Sequence, residues 1–511
     1  LYGVDIMAEA TEIAKLRLFL KMVAVVEVDM RADNLGLDPL PDIDFNIRCG
    51  NTLVGYATEA ELDNDLKYGD MFANQEFKAK IELEMEKASL AFKQFKAVQF
   101  TQDEDLSVFK SAKRNLRTRL NSLNNALNQR LYKATVVGNA LSYDKWESTH
   151  QPFHWLAEFY EIIKGNGGFD VIIGNPPYVV YTKRDKYTGL SVADKYKIRD
   201  YVTSTSNNLY VFTIERALRL LSGKRRLGMI VPLSLGAAKN MESIRKLLTD
   251  KKYLCLSSYE IRPAKLFDGA KGADQRLNII ISCDSSTPAL LTTEVQRWKS
   301  ENRKLLFPSL HYVNAVMDDR ILRFSSQVEK SIYKKYLRHS PLATYQLSSS
   351  KEHIHYRSAG LRYWIIFLRK GFNTNSASNK VIGIDKREEA DFFMAALNSN
   401  LYWWYYAINY DMFNQTESNV LDFRCTFSNK LNFGDVAKQL EFDMDKNKRI
   451  SVVNKKDGET NESFAYDKKL SKPIIDEIDK VLAKHYGFTD EELDFIINYD
   501  IKYRMGDELN D

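Results

Sequence analysis

Residues 169–178, Phe-Asp-Val-Ile-Ile-Gly-Asn-Pro-Pro-Tyr, join an apolar run to an abrupt polar stop. The pattern predicts a buried strand that delivers Asn175, Pro176, Pro177 and Tyr178 to the carboxyl edge of a sheet, where open α/β sheets place their ligands. Neither proline has an N–H to donate, and both restrict the backbone, so carbonyl oxygens are left to face a substrate. Asn175 adds an amide oxygen as acceptor, and Tyr178 a flat face for stacking. Such a group suits an exocyclic aromatic amine. The lone pair of that amine is delocalised into its ring, and two acceptors gripping its two N–H bonds favour a pyramidal nitrogen able to attack an electrophile. No base with a shifted pKa is required, because the proton leaves after the nitrogen has become cationic. The plainer alternative is a strand-ending turn in which Asn175 caps and the prolines break.

The elements around this motif alternate. Residues 2–6 read as a short strand with an acid near its end. Residues 9–26 read as a helix with Ile13, Leu16, Leu20 and Val23 at helical spacing, and residues 47–54 as another strand. Residues 59–132 are long, charged and helical, with Leu116, Leu120, Leu123, Leu127 and Leu131 repeating every three or four positions, which predicts a helical hairpin rather than a coiled coil. The alternation resumes with a strand at 169–173, a helix at 209–221, a strand at 227–232, a helix at 243–248 and a last strand at 277–282. From about 290 to 430 the text turns aromatic and basic. Residues 445–463 are polar and lysine-rich and read as a mobile loop. Pro473 opens a helix that Gly487 closes, and Thr489 with Glu492 forms a capping box for the next. These shifts divide the chain into residues 1–58, 59–150, 151–289, 290–440 and 441–511, with an open parallel sheet covered by helices as the central architecture.

Composition narrows the class. The 511 residues are 44% hydrophobic, 28% charged and 12% aromatic, which fits a folded soluble chain and excludes a disordered or fibrous one. No apolar run approaches the roughly 20 residues that span a bilayer. The longest, residues 227–238, holds Pro232 and two glycines and reads as a strand. Four scattered cysteines (Cys49, Cys255, Cys283 and Cys425) argue against a disulfide scaffold or a zinc site and fit a reducing cytoplasm. A net charge of +5 permits nucleic-acid binding without demonstrating it. Because the chain opens inside a strand, it is expected to be an N-terminally truncated fragment.

The ordered motifs resemble those of S-adenosylmethionine-dependent amino-methyltransferases, specifically the adenine-specific (N6) DNA methyltransferases of restriction-modification systems, in their large Eco57I-like, type IIG-like form. The resemblance rests on Asp5, on Asn175-Pro176-Pro177-Tyr178, on residues 208–212 (Asn-Leu-Tyr-Val-Phe), on residues 226–232, on 266–270 followed by 275–277, and on the ending at 475–506. It implies a Rossmann-like methyltransferase sheet, incomplete at its N-terminus, with a helical insertion and a C-terminal α+β target-recognition region. It also implies a substrate, double-stranded DNA, and sometimes a nuclease domain upstream or a separate restriction subunit.

Carried onto this sequence, the resemblance implies that Asp5 and Ile6 hold the cofactor, with Asp5 on the ribose hydroxyls, as acids after strands do in dinucleotide folds. A helix N-cap is the other reading of Asp5. Asn51 stands where the family often has an Asp that touches the cofactor's adenine; the amide keeps an acceptor and loses the charge. Asn175 and the Pro176 carbonyl would hold the target amine, with Tyr178 and Phe267 as aromatic walls on a base flipped out of the duplex. The family's glycine-rich cofactor loop is missing ahead of Asp5. Arg357, Arg362, Arg369 and Lys370, interleaved with aromatics, are the candidate DNA contacts. The run Tyr402–Tyr406 reads as core, and His353 and His355 as strand residues. Pro41-Asp42 with Glu76-Phe77-Lys78 has the letters of a nuclease site but falls on a loop and a helix, and no metal is expected. Two other functions stay open: a protein-glutamine N5-methyltransferase, since a carboxamide also fits the motif, and a catalytically silent DNA-binding specificity module.

Overall fold

The computed structural model describes residues 1–31, 35, 40–99, 106–136, 141–267, 275–359, 363–374, 376–431, 433–454 and 460–506. Arg362 and residues 268–270 lie outside them. The chain is mixed α/β and divides into two compact units, residues 1–229 with 281–286, and residues 230–280 with 287–511.

In the first unit the order is β1 (Gly3–Asp5), α1 (Ala8–Ala24), β2 (Ile47–Cys49), α2 (Met71–Gln99), α3 (Leu106–Thr135), β3 (Phe169–Gly174), α4 (Leu209–Leu220) and β4 (Leu221–Pro232). β1 runs parallel to β2, with Gly3 opposite Ile47 and Asp5 opposite Cys49. β3 runs parallel to β4. The connecting helices follow from that pairing, because parallel neighbours need a long crossover. Among the described residues the second edge of β1 and the second edge of β3 carry no strand. The expectation of a buried β3 is therefore corrected: Val171 is 55% and Ile173 77% exposed. The apolar stripe of α1 is likewise uncovered, with Leu16 57% and Leu20 56% exposed. Parallel strands and their helices bury apolar side chains only when both faces have neighbours, and no described element of this unit supplies one here.

The long helical segment is a packed hairpin. Ile81, Met85, Ala88 and Phe95 of α2 meet Leu116, Leu120, Leu123 and Leu127 of α3, with Phe45 and Leu156 in the same cluster. Lys113 fastens α3 to Asp42 and to Asp44, the latter at 2.7 Å.

The second unit contains β5 (Lys252–Tyr259), β6 (Leu277–Asp284), β7 (Ala289–Gln296) and β8 (Val313–Asn314), ordered β6–β5–β7–β8. The strand near 277 is thus not the last. β7 follows it parallel to β5, and β8 is antiparallel to β7. β9 (Glu352–Arg357) and β10 (Asn379–Ile384) form an antiparallel pair. Next come α5 (Arg387–Leu397), α6 (Asn400–Asn409), α7 (Gly434–Lys446), β11 (Arg449–Asn454), β12 (Thr460–Ala465), α8 (Lys472–Tyr486) and α9 (Asp490–Asn498). Every residue of α6 is buried, so the Tyr402–Tyr406 run is core as expected. The predicted loop at 445–463 is instead largely the hairpin of β11 and β12. Its backbone bonds satisfy the strands while Ile450 and Val452 remain exposed, so a polar composition concealed the pairing. Gly487 ends α8 at φ +69°, and the Thr489 and Glu492 capping box opens α9. No described helix is long and apolar enough to cross a membrane.

Candidate active site

A cavity of about 840 Å³ lies in the first unit, in the size range of small-molecule sites. Asp5, Ile6, Asn51, Asn175, Pro176 and Pro177 all line it, so six residues singled out from the sequence converge. Tyr2, just before β1, meets Phe169 at the start of β3, ring centroids 6.1 Å apart.

The turn after β3 is held by its own bonds. The Tyr178 hydroxyl donates to Asn175 Oδ1 at 2.7 Å. The Tyr178 ring stands edge-on to Tyr210, centroids 6.3 Å apart. Burial pushes the Tyr178 hydroxyl up to about 12, so it remains a donor at ordinary pH. The Val179 N–H donates to the Pro177 carbonyl at 3.0 Å, and the Leu209 N–H to the Val179 carbonyl at 2.9 Å, which ties the turn to the start of α4. Among the described residues the Pro176 carbonyl accepts no hydrogen bond. Asn175 is exposed to the cavity rather than turned inward. The open acceptors are therefore the Pro176 carbonyl and the second lone pair of Asn175 Oδ1.

Asp5 is not the helix N-cap, a position that falls on Met7. Asp5 Oδ1 accepts the Met7 N–H at 2.8 Å, while Oδ2 has no partner among the described residues. Asn51 is 3% exposed and differs from expectation. Its oxygen already accepts the Leu53 N–H at 3.1 Å, and its Nδ2 is buried without a hydrogen-bond partner. Its oxygen is thus engaged and its amide nitrogen enclosed. Tyr196, whose hydroxyl lies near this amide, lines the same cavity. Asn51→Leu removes a buried, unmet donor. It also takes the acceptor from the buried Leu53 N–H, and is expected to lower the melting temperature of the free protein by a few degrees, checked by thermal unfolding.

The wall behind Asn51 is fixed by close backbone approach. The Asn51 N–H donates to Gln151 O and the Phe153 N–H to Val54 O, both at 2.7 Å. Gly55, at φ +121°, admits the Phe153 carbonyl where a Cβ would stand 2.3 Å from it. His154 then accepts the Tyr56 N–H on Nδ1 at 3.1 Å, so Nε2 carries the proton toward Asn128 Oδ1 at 2.8 Å. Burial lowers this imidazole from 6.5 to about 3. An unfolded chain takes up the proton below pH 6.5 while the folded one refuses it until near 3, so the stabilisation is complete above pH 6.5 and declines as pH falls. The first unit is expected to lose about 1.4 kcal/mol per pH unit below 6.5, and His154→Gln to flatten that slope, measured by hydrogen exchange of α2 and α3 between pH 7 and 5.

Three lining residues had no sequence signal: Tyr196, Trp155, whose Nε1 donates to Thr52 Oγ1 at 3.0 Å, and Arg216, paired with Glu61 at 2.6 Å. Each is brought in by tertiary structure alone. Tyr178 adjoins the cavity through Asn175 without lining it. Phe267 belongs to the second unit, 37% exposed beside Tyr259 and Leu266. Of the candidate DNA contacts, Arg369 bonds Glu352 and Asp391, and Lys370 bonds Asp445. Arg357 makes no ion pair among the described residues.

Comparison with known proteins supplies the family. The profile described as Eco57I restriction-modification methylase matches residues 1–267, more than half the chain. The chain belongs to that family. A protein of Methanocaldococcus jannaschii described as a type II restriction enzyme and methyltransferase is 28% identical over 308 residues. That match takes in 53% of this chain and 25% of the relative, so the chain spans a quarter of the curated relative's length. Among solved structures, the type IIL restriction-modification enzyme MmeI in complex with DNA is 11% identical, with a TM-score of 0.38, 76% of this chain and 64% of that one being covered. A nuclease-deletion mutant of the type ISP enzyme LlaGI with a DNA substrate mimic is 15% identical, with a TM-score of 0.27, covering 50% and 26%. The residues that place the chain among the Eco57I methylases include both β1 and the turn at Asn175, and hence the whole cavity.

Proposed function

We propose that the chain is the methyl-transferring part of a restriction-modification enzyme that acts on adenine N6 in duplex DNA. The observation that carries this reading is the pair of acceptors left open by the protein, Asn175 Oδ1 and the Pro176 carbonyl, on a cavity that Asp5 also lines with a free oxygen. S-adenosylmethionine, when bound, supplies a methyl group on a sulfonium. Asp5, whose Oδ2 is free among the described residues, would hold its ribose hydroxyls, Asn51 would lie beside its adenine and Ile6 would cover apolar surface. The target base leaves the duplex at a cost of a few kcal/mol and stacks on Tyr178. The two acceptors hold the amine's N–H bonds, its nitrogen takes the methyl as the carbon–sulfur bond breaks, and the cationic nitrogen then sheds a proton to water. Arg357 contacts the DNA backbone, and a restriction subunit or nuclease domain completes the system.

One observation favours a second reading. The facing edges of β1 and β3 are unpaired among the described residues, and a cavity open there would leave a module that binds DNA without transferring methyl. The test incubates the chain with methyl-labelled S-adenosylmethionine and either duplex DNA or a bacterial protein extract. Label recovered as N6-methyladenine supports the first reading. Label on protein glutamine, or DNA binding without label, overturns it.

A further inference from the structure

The second unit holds a cavity of its own, about 860 Å³, that the methyl-transfer chemistry does not use. Six cations line it (Arg262, Arg276, Arg357, Arg449, Lys469 and Arg504) against two carboxylates, Glu260 and Asp467. The carboxylates are already engaged, Glu260 with Arg276 and Asp467 with Arg449, both at 2.8 Å. Arg262, Arg357 and Lys469 form no ion pair among the described residues. Arg357 is the most telling. It sits at the end of β9 with its guanidinium 4.9 Å from the Phe372 ring centre, one bond to Thr374 Oγ1 at 3.2 Å, and a buried Nε with no partner. The other walls are aromatic: Trp403, Phe464, Tyr466 and Phe413, the last 52% exposed.

Uncompensated guanidinium groups call for phosphate, and aromatic faces call for a flat ring. A stacked duplex offers phosphates but hides the faces of its bases, whereas an unpaired nucleotide offers both. We propose that this cleft binds an unstacked nucleotide of a DNA strand, its base against Phe413 and Tyr466 and its phosphate on Arg357, with Arg262 and Lys469 on the neighbouring phosphates. The proposal rests on DNA being the substrate, but not on methyl transfer.

The experiment titrates the chain, without methyl donor, into a ten-nucleotide single strand carrying 2-aminopurine at its centre, and repeats the titration with the fully paired duplex and with free dAMP as competitor. Stacking is expected to quench the fluorophore. Phe413→Ala is expected to weaken the strand about tenfold, and Arg357→Gln to lower the salt slope of log K by about 0.7. Arg262→Gln, at an exposed position, should lower it by the same amount and guards against a folding defect at Arg357. Strand affinity unchanged by all three substitutions would overturn the proposal. So would duplex binding of equal strength and equal sensitivity, or displacement of the strand by an equimolar amount of dAMP. Asn175→Ala should bind the strand like the parent chain, so transfer retained at the parent's rate in that variant, with binding intact, counts against the methyltransferase reading alone.

Discussion

Asn175→Ala is expected to lower methyl transfer by about a thousand-fold while leaving the fold and DNA affinity unchanged. The side chain is exposed on the cavity, so its removal opens no void in the core. What is lost is one of two acceptors that hold the amine as positive charge develops on nitrogen. Removing a single preorganised hydrogen-bonding group aimed at developing charge costs about a hundred- to a thousand-fold, and the freed Tyr178 hydroxyl, which donates to Asn175 Oδ1, would turn a donor toward the amine. Single-turnover rates with labelled cofactor read the first effect, and strand binding reads the second. A rate within tenfold of the parent would remove the amide oxygen from the mechanism.

Trp404→Ala is expected to destabilise the second unit by about 5 kcal/mol. The indole is fully buried in α6, and truncating a buried Trp costs about 3–5 kcal/mol. Its Nε1 also donates to Glu329 Oε1 at 2.9 Å, and Glu329 is itself fully buried. Leaving that oxygen unmet adds about 1–3 kcal/mol, so the total is a large fraction of a domain's stability. Trp404→Phe keeps most of the ring and loses only the N–H, and should cost less than half as much. Denaturant unfolding followed by near-ultraviolet dichroism separates the two. Because Trp403 lines the arginine-rich cleft, strand binding should fall with the fold in the alanine variant and persist in the phenylalanine one.

The Asn175 turn was legible because everything it needs is local: an apolar strand, two residues without N–H, and an aromatic three positions after the amide. The aromatic run of α6 was legible as core for a similar reason, since no polar face interrupts it. Burial was not legible. Whether Leu16 and Ile173 are covered depends on which neighbours the sheet has, and no pattern within α1 or β3 contains that information. The β11 and β12 hairpin was hidden by its polar composition, because backbone pairing makes little demand on side chains. Asn51 lines the cavity, but only the fold shows that the Leu53 N–H already occupies its oxygen. The arginine-rich cleft draws on residues from Glu260 to Gly506, too far apart in sequence for any motif to register.

The count of acceptors at the Asn175 turn also limits how far the proposed reaction can run. Two oxygens are both satisfied only by an amine that still bears two hydrogens. After one methyl has been added, the product keeps a single N–H, and one oxygen of the pair goes without a partner, at a cost of about 1–3 kcal/mol. The same geometry that draws the unmodified base in therefore loosens its hold on the modified one, which favours departure and stops the chemistry at a single addition.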